Sequence, residues 1–276
     1  MISITGIDKN GRSPVAQRVR ASQGFRASRE ADRITAFISR IVDEARAGGV
    51  VLGLSGGIDS AVVGALCVNA LGKERVLVLL MPSGHTPSKD LEDARLLADA
   101  WGVRREEIQI SGIADDITSS AKAEGTRVAK ANVQARARMT LLYYHANSLG
   151  YLVAGTGDKS EELLGYFTKW GDGGVDFLPI AHLYKTQVRE LGEFLGLPKG
   201  IVEKPASPQL WAGQKAIDEI PANYDTLDVV LHYLYDLKAK PSEAADKARV
   251  PLGIVKRVLE MHEKTEHKRK LPPSLA

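Results

Sequence analysis

Six residues, Ser55-Gly56-Gly57-Ile58-Asp59-Ser60, combine two hydroxyls, two adjacent glycines and a carboxylate. They lie in VVLGLSGGIDSAVVGALCVNALG (50–72), after a β-branched apolar run that reads as a buried strand. A helix apolar nearly all round follows and stops at Gly72. Strand, small-residue turn and buried helix make a phosphate site. Glycines let the backbone approach a ligand, and the first helical amides point at it along the favourable end of the dipole. Ser55 and Ser60 add hydroxyl donors. Asp59 would repel bound phosphates unless a cation lay between them, so it is a candidate Mg²⁺ ligand. The loop lacks the lysine of G-x-x-x-x-G-K-[ST]. It therefore suits a leaving pyrophosphate better than transfer of a terminal phosphoryl group.

Other charged residues sit in glycine-bearing segments. GTGDKSEE (155–162) follows a strand read over 151–154, and Glu161 there is a second candidate Mg²⁺ ligand. The same segment also reads as an N-capped helix with acids in its first turn. GYFTKWGDGGVDFL (165–178) is a shaped surface loop whose charged chemistry is Lys169, Asp172 and Asp176. Lys185 falls near a helix start, where the dipole disfavours a cation and an anionic ligand would relieve it. In NVQARARM (132–139), Arg136 and Arg138 are two apart on a helix, so they diverge and one of them faces a ligand. PASPQLWAGQ (205–214) is a further loop, and the tail carries His267-Lys268-Arg269-Lys270. That basic run fits a cationic finger, a nucleic-acid patch or a solvated end.

The elements that must position these groups alternate strand and helix. A helix from Ser28 to about Ala47 precedes the first strand, with Ser28 as its cap. Further strands are expected over 75–81 and 107–111, a helix over 91–101, and a long helix over 114–149 broken near Gly125. This pattern implies an α/β fold: a doubly wound parallel sheet with ligands at the carboxyl ends of its strands. C-terminal helices follow from about residue 222, over 224–237, 242–248 and 253–266. The last two look like a helix-turn-helix, a DNA-reading pattern that the charge balance opposes.

Composition bounds the rest. The 276 residues hold 37 basic and 34 acidic side chains, with 44% hydrophobic and 26% charged residues, as in an ordinary globular protein. A net charge of +3 is too small to argue for nucleic acid. The single cysteine, Cys67, sits in the helix after the glycine loop and reads as core. It excludes a disulfide scaffold and fits a reducing cytoplasm. No apolar run suggests a membrane span. Residues 1–27 form a basic arm whose composition also matches an organelle transit peptide, read here as loosely ordered or as contacting a second subunit, and 28–276 read as one domain.

SGGIDS resembles the signature of the ATP pyrophosphatase (PP-loop) superfamily. With NVQARARM, GTGDKSEE, GYFTKWGDGGVDFLPI, LYKTQVREL, LWAGQ and HKR in that order, the chain resembles the ammonia-dependent NAD synthetases. The resemblance implies a Rossmann-like, adenine nucleotide alpha hydrolase-like fold. It also implies adenylation of deamido-NAD⁺ by Mg²⁺-ATP with release of pyrophosphate, then displacement of AMP by ammonia. Carried over by residue, Ser55, Gly56, Gly57, Ile58, Asp59, Ser60, Thr156, Lys185 and Ser207 would bind ATP. Arg136, Lys169, Asp176, His267 and Lys268 would bind the dinucleotide, and Asp59 and Glu161 the metal. A homodimer with the dinucleotide across its interface is implied. Lys185 is the candidate to support the α-phosphate, and Asp172 to collect and deprotonate ammonium.

Three positions depart from the family pattern: Asp158 where asparagine is frequent, KAIDEI in place of an acidic run, and Ser207 within PASPQL. A chain of this length with Cys67 as its only thiol has no room for a glutamine amidase domain, which points to free ammonia. The alternatives are another PP-loop ligase (GMP synthetase-like or tRNA-modifying) and a non-catalytic ATP-sensing module, which would not need both metal carboxylates.

Overall fold

A computed structural model describes residues 24–275, so the arm over 1–23 lies outside the described residues. The strands are β1 (Val50–Gly53), β2 (Val76–Leu80), β3 (Arg104–Glu107) and β4 (Leu152–Val153), all parallel, in the order β3-β2-β1-β4. The helices, in chain order, are α1 (Ala27–Glu44), α2 (Ile58–Leu71), α3 (Ser88–Trp101), α4 (Ser111–Ser119) and α5 (Arg127–Leu149). They continue as α6 (Lys159–Leu164), α7 (Lys185–Phe194), α8 (Lys199–Val202), α9 (Tyr224–Leu231), α10 (Pro241–Ala248) and α11 (Leu252–Lys264).

Helices cover both faces of the sheet, which is why β1 and β2 can be apolar at nearly every position. Val50, Leu52, Val76 and Val78 pack toward α1, α2, α3 and α7, while Val51, Leu77, Leu79 and Val153 pack toward α5. The chain winds outward from β1 through β2 to β3, then returns across the sheet on α5 to set β4 on the other side of β1. The strand order therefore reverses between β1 and β4, and the loops leaving their carboxyl ends open a crevice there. This is the doubly wound parallel α/β sheet expected from the sequence.

A second apolar cluster joins Leu164 and Tyr184 to Leu227, Val230, Val255 and Val258 of the C-terminal helices. Val255 and Val258 spend the inner face of α11 on that core. A π-helical turn, His232–Asp236, continues α9, so the helix expected over 224–237 changes its winding partway.

The sequence reading needs two local corrections. The third strand is Arg104–Glu107, earlier than 107–111. It is a solvated edge strand paired only with β2, so its polar sequence gives no apolar signal. Ser28 does not cap α1: the helix starts at Ala27, and its N-cap, Arg26, makes no side-chain cap bond. The break expected near Gly125 falls between α4 and α5, and Thr126 caps α5 by accepting the Ala129 N–H at 3.2 Å. Cys67 is fully buried in α2, with its thiol pKa pushed up to about 12 by burial.

Candidate active site

The crevice is a cavity of 470 Å³. Its floor is the SGGIDS turn, which closes on itself. Ser60 Oγ accepts the Ser55 N–H at 3.2 Å and donates to Gly57 O at 3.0 Å, and Ser55 Oγ accepts the Gly57 N–H at 3.2 Å. Gly56 has φ +77°, and a Cβ there would lie 2.1 Å from Asp90 O on α3. Its glycine is thus required by backbone packing rather than by ligand approach; Gly57, not Gly56, lines the cavity. Lys204 fastens this turn from a loop 148 residues away. Its Nζ donates to Gly56 O at 2.8 Å, Asp90 Oδ1 at 2.6 Å and Asp93 Oδ2 at 2.7 Å.

Beside the turn lies a concentrated group of charges. Lys185 Nζ, fully buried at the start of α7, sits 2.7 Å from Asp59 Oδ2, 2.8 Å from Asp158 Oδ2 and 2.8 Å from Glu161 Oε1. Burial alone would lower the lysine's pKa, but the three carboxylates overcome it and hold the ammonium charged. The helix-dipole conflict expected at Lys185 is therefore relieved by protein carboxylates. Burial in turn raises Asp158 and Glu161, against the pull of Lys185. Asp158 and Glu161 also form a capping box on α6, Asp158 accepting the Glu161 N–H at 2.8 Å, so the N-capped-helix reading of this segment holds. Asp228, wholly buried, accepts from Ser160 Oγ at 2.6 Å and the Thr186 N–H at 2.8 Å, tying α6 and α7 to α9. Burial pushes its carboxyl up to about 6.

Three carboxylates around one ammonium leave surplus negative charge, and Asp59 Oδ1 is buried without a hydrogen-bond partner. Those features fit a divalent cation. Among the described residues no set of three or more His, Cys, Asp or Glu is arranged to hold a metal unaided. Mg²⁺ would then take its other ligands from phosphate and water.

The opposite wall comes from α5, the 165–178 loop and the C-terminal tail. Arg138 Nε donates to Met81 O at 3.1 Å, at the end of β2. Asp172 opens onto the cavity and accepts the Thr168 N–H at 2.8 Å. The enclosing wall raises its pKa, opposed by that N–H and by the charges of Lys268 and Arg138. Lys268 Nζ donates to Gly165 O at 2.7 Å and Phe167 O at 2.6 Å. Gly165 (φ +65°) is pressed against Thr265, whose Oγ1 would lie 2.0 Å from an added Cβ, so the tail is locked onto this loop.

The cavity brings together Ser55, Gly57, Ile58, Asp59 and Ser60 with Thr156, Glu161, Asp172, Ser207 and Lys268. Ser207 Oγ donates to Gln214 O at 2.6 Å, which shapes its loop. Lys185 stands behind the wall. Arg136, Lys169, Asp176 and His267 do not line the cavity. Arg136 Nη2 donates to Lys169 O at 3.2 Å and Lys169 Nζ to His267 O at 2.6 Å, forming a chain along the outer face. Asp176 accepts the Val153 N–H at 2.7 Å and the Tyr143 hydroxyl at 3.1 Å. Of the two arginines on α5, it is Arg138 that faces inward. The reading by sequence passed over Lys204 and Asp228, and left open how Glu219 of KAIDEI acts. Glu219 turns into the cavity and accepts from Gln214 Nε2 at 2.9 Å and Tyr166 Oη at 3.3 Å. No local pattern marks Lys204 or Asp228, because each acts on a distant segment.

A parallel doubly wound sheet with a glycine turn and paired acids at its switch point defines a nucleotide-binding α/β protein of the Rossmann-like class. The family model for NAD synthase matches residues 30–272, and the chain belongs to that family. It is 51% identical to an NH(3)-dependent NAD(+) synthetase of Hyperthermus butylicus over 242 residues, 87% of this chain and 88% of that one. Among solved structures it is similar to an NMN synthetase from Francisella tularensis (TM-score 0.82, 33% identity, 91% and 99% coverage). It is also similar to an NH3-dependent NAD synthetase from Campylobacter jejuni (TM-score 0.78, 32% identity, 91% and 100% coverage).

Proposed function

We propose that the protein is an ammonia-dependent NAD⁺ synthase. It adenylates the nicotinate carboxylate of deamido-NAD⁺ with ATP, releases pyrophosphate, and transfers the acyl group to ammonia to give NAD⁺ and AMP. The observation that carries this reading is one cavity with the SGGIDS turn and the Asp59–Glu161 pair on one side and Asp172 on the other. A carboxylate repels nucleophiles and would have to expel oxide, so forming the acyl-AMP supplies a leaving group. The carboxylate oxygen attacks the α-phosphorus as the α–β bridge oxygen departs with pyrophosphate. Amides and hydroxyls of the turn stabilise the departing charge. Mg²⁺ on Asp59 and Glu161 would neutralise phosphate oxygens. Lys185, ringed by carboxylates behind the wall, would reach the α-phosphate once ATP binding reorganises that ring. Asp172, its pKa raised, takes a proton from ammonium near the acyl carbon; ammonia then attacks, and AMP leaves with its phosphate taking up the proton that the tetrahedral adduct sheds.

Lys268 is the member of the proposed dinucleotide set that reaches this cavity. The outer chain of Arg136, Lys169 and His267 supports a dinucleotide continuing toward a second copy. Exposed apolar residues Ile117 and Val128 and Tyr144 on α4 and α5 support a homodimer covering that face. No helix among the described residues is long and apolar enough to cross a membrane. A cytoplasmic site of action fits the metabolites and the buried thiol.

The test is ATP-derived pyrophosphate and NAD⁺ formation with deamido-NAD⁺, nicotinate mononucleotide, XMP or tRNA, each with and without ammonium. Deamido-NAD⁺ should give ammonium-dependent NAD⁺. The mononucleotide arm matters because a solved relative is an NMN synthetase. Turnover with the mononucleotide, XMP or tRNA in preference to deamido-NAD⁺ would overturn the reading.

A further inference from the structure

Arg138 has charge to spare. It lines the cavity, half-buried, and among the described residues the bond from Nε to Met81 O is its guanidinium's only hydrogen bond. No carboxylate lies within ion-pair distance of it among the described residues; Asp172 acts on it from farther off. Burial lowers its pKa to about 10, the mark of a cation with incomplete compensation. A guanidinium in a partly desolvated wall is costly unless an anion meets it, and its planar edge matches two oxygens of a carboxylate or phosphate. The Nε bond fixes the plane of the group, so the Nη edge remains for a ligand.

The position of this edge separates it from the other charges of the site. Lys185 is saturated by three carboxylates, Lys204 by Asp90, Asp93 and Gly56 O, and Lys268 is bonded to two carbonyls. The electrostatic neighbour of Arg138 is Asp172, at the acyl end of the cavity, rather than the Asp59–Glu161 pair. We propose that Arg138 is the residue that grips the oxyanion of the reacting acyl group, holding the nicotinate carboxylate in line with the α-phosphorus. This rests on the synthase reading. No bond to Arg138 forms or breaks; it positions one oxygen for attack and leaves Asp172 free for the later proton transfer.

The experiment begins with the wild-type enzyme, whose formation of NAD⁺ tests the synthase reading by itself. Arg138→Met and Arg138→Lys are then compared in pyrophosphate release, varying ATP and deamido-NAD⁺ separately. Arg138→Met should lower kcat/KM for deamido-NAD⁺ by about 30-fold or more, with KM for ATP changed less than about threefold. Arg138→Lys should recover only part of the loss, because it lacks the fork. Arg138→Gly should regain activity on addition of guanidinium ion, a rescue that a merely structural role would not give. A loss confined to the KM for ATP, an Arg138→Met enzyme within threefold of wild type, or no guanidinium rescue in folded Arg138→Gly would overturn the proposal. Should the variants not fold, a wild-type complex with deamido-NAD⁺ decides. A carboxylate oxygen within about 3.5 Å of an Nη atom supports the proposal and its absence refutes it.

Discussion

The two ends of the cavity handle charge in opposite ways. Around Lys185 the protein answers its own charges: one ammonium is ringed by Asp59, Asp158 and Glu161 at 2.7–2.8 Å. At the acyl end, Arg138, Asp172 and Lys268 are held by main-chain groups and make no ion pairs with one another. The first end is a closed charge set that a bound phosphate and cation would have to reorganise. The second is a set of oriented groups with unused capacity. We therefore expect substitutions at the first end to cost stability as well as activity, and those at the second to change activity with little loss of stability.

Breaking the closed set should do the most. Lys185→Met leaves three carboxylates around a buried gap and should cost about 3–5 kcal/mol of folding stability. Denaturant unfolding would show this as a lower midpoint, and pyrophosphate release should vanish with it. A variant of wild-type stability would deny that the ring is a unit.

Next comes the pH dependence of the support beneath that ring. Burial raises Asp228 from 3.8 to about 6, so its folded form favours the proton. Its contribution is fully present below the unfolded pKa and is lost as pH rises through the folded one, a change of about 2 kcal/mol between pH 4 and 6. The stability difference between wild type and Asp228→Asn, followed by unfolding across that range, should carry this slope. A flat difference would count against it.

These side chains also mark where the sequence stops being informative. The strand–turn–helix of SGGIDS and the continuous apolar runs of β1 and β2 are local patterns, so the fold class could be read directly. The ring around Lys185 joins β1, β4 and α7 loops, and only the closed sheet brings them together. Arg138 and Arg136 were distinguishable as diverging, but which one points inward depends on the phase of α5 against the sheet. The solvated edge strand β3 carried no apolar signature, and Lys204 meets Gly56 across 148 residues.

At the acyl end, Asp172→Asn should slow amination by about 100-fold while pyrophosphate release falls far less, measured by rapid quench with and without ammonium. Equal loss in both half-reactions would remove Asp172 from proton transfer. The smallest effect should come from Lys204→Met, which loosens the SGGIDS turn without touching the acyl end. KM for ATP should rise about tenfold with that for deamido-NAD⁺ little changed. A rise in both would mean that the two ends are not separable.

The acyl-adenylate itself is open to an isotope measurement. Deamido-NAD⁺ labelled with ¹⁸O in its nicotinate carboxylate, turned over with ATP and ammonium, should deliver one labelled oxygen to AMP and none to pyrophosphate, read by mass spectrometry. Unlabelled AMP, or label found in pyrophosphate or inorganic phosphate, would contradict attack on the α-phosphorus and with it the role assigned to the whole cavity.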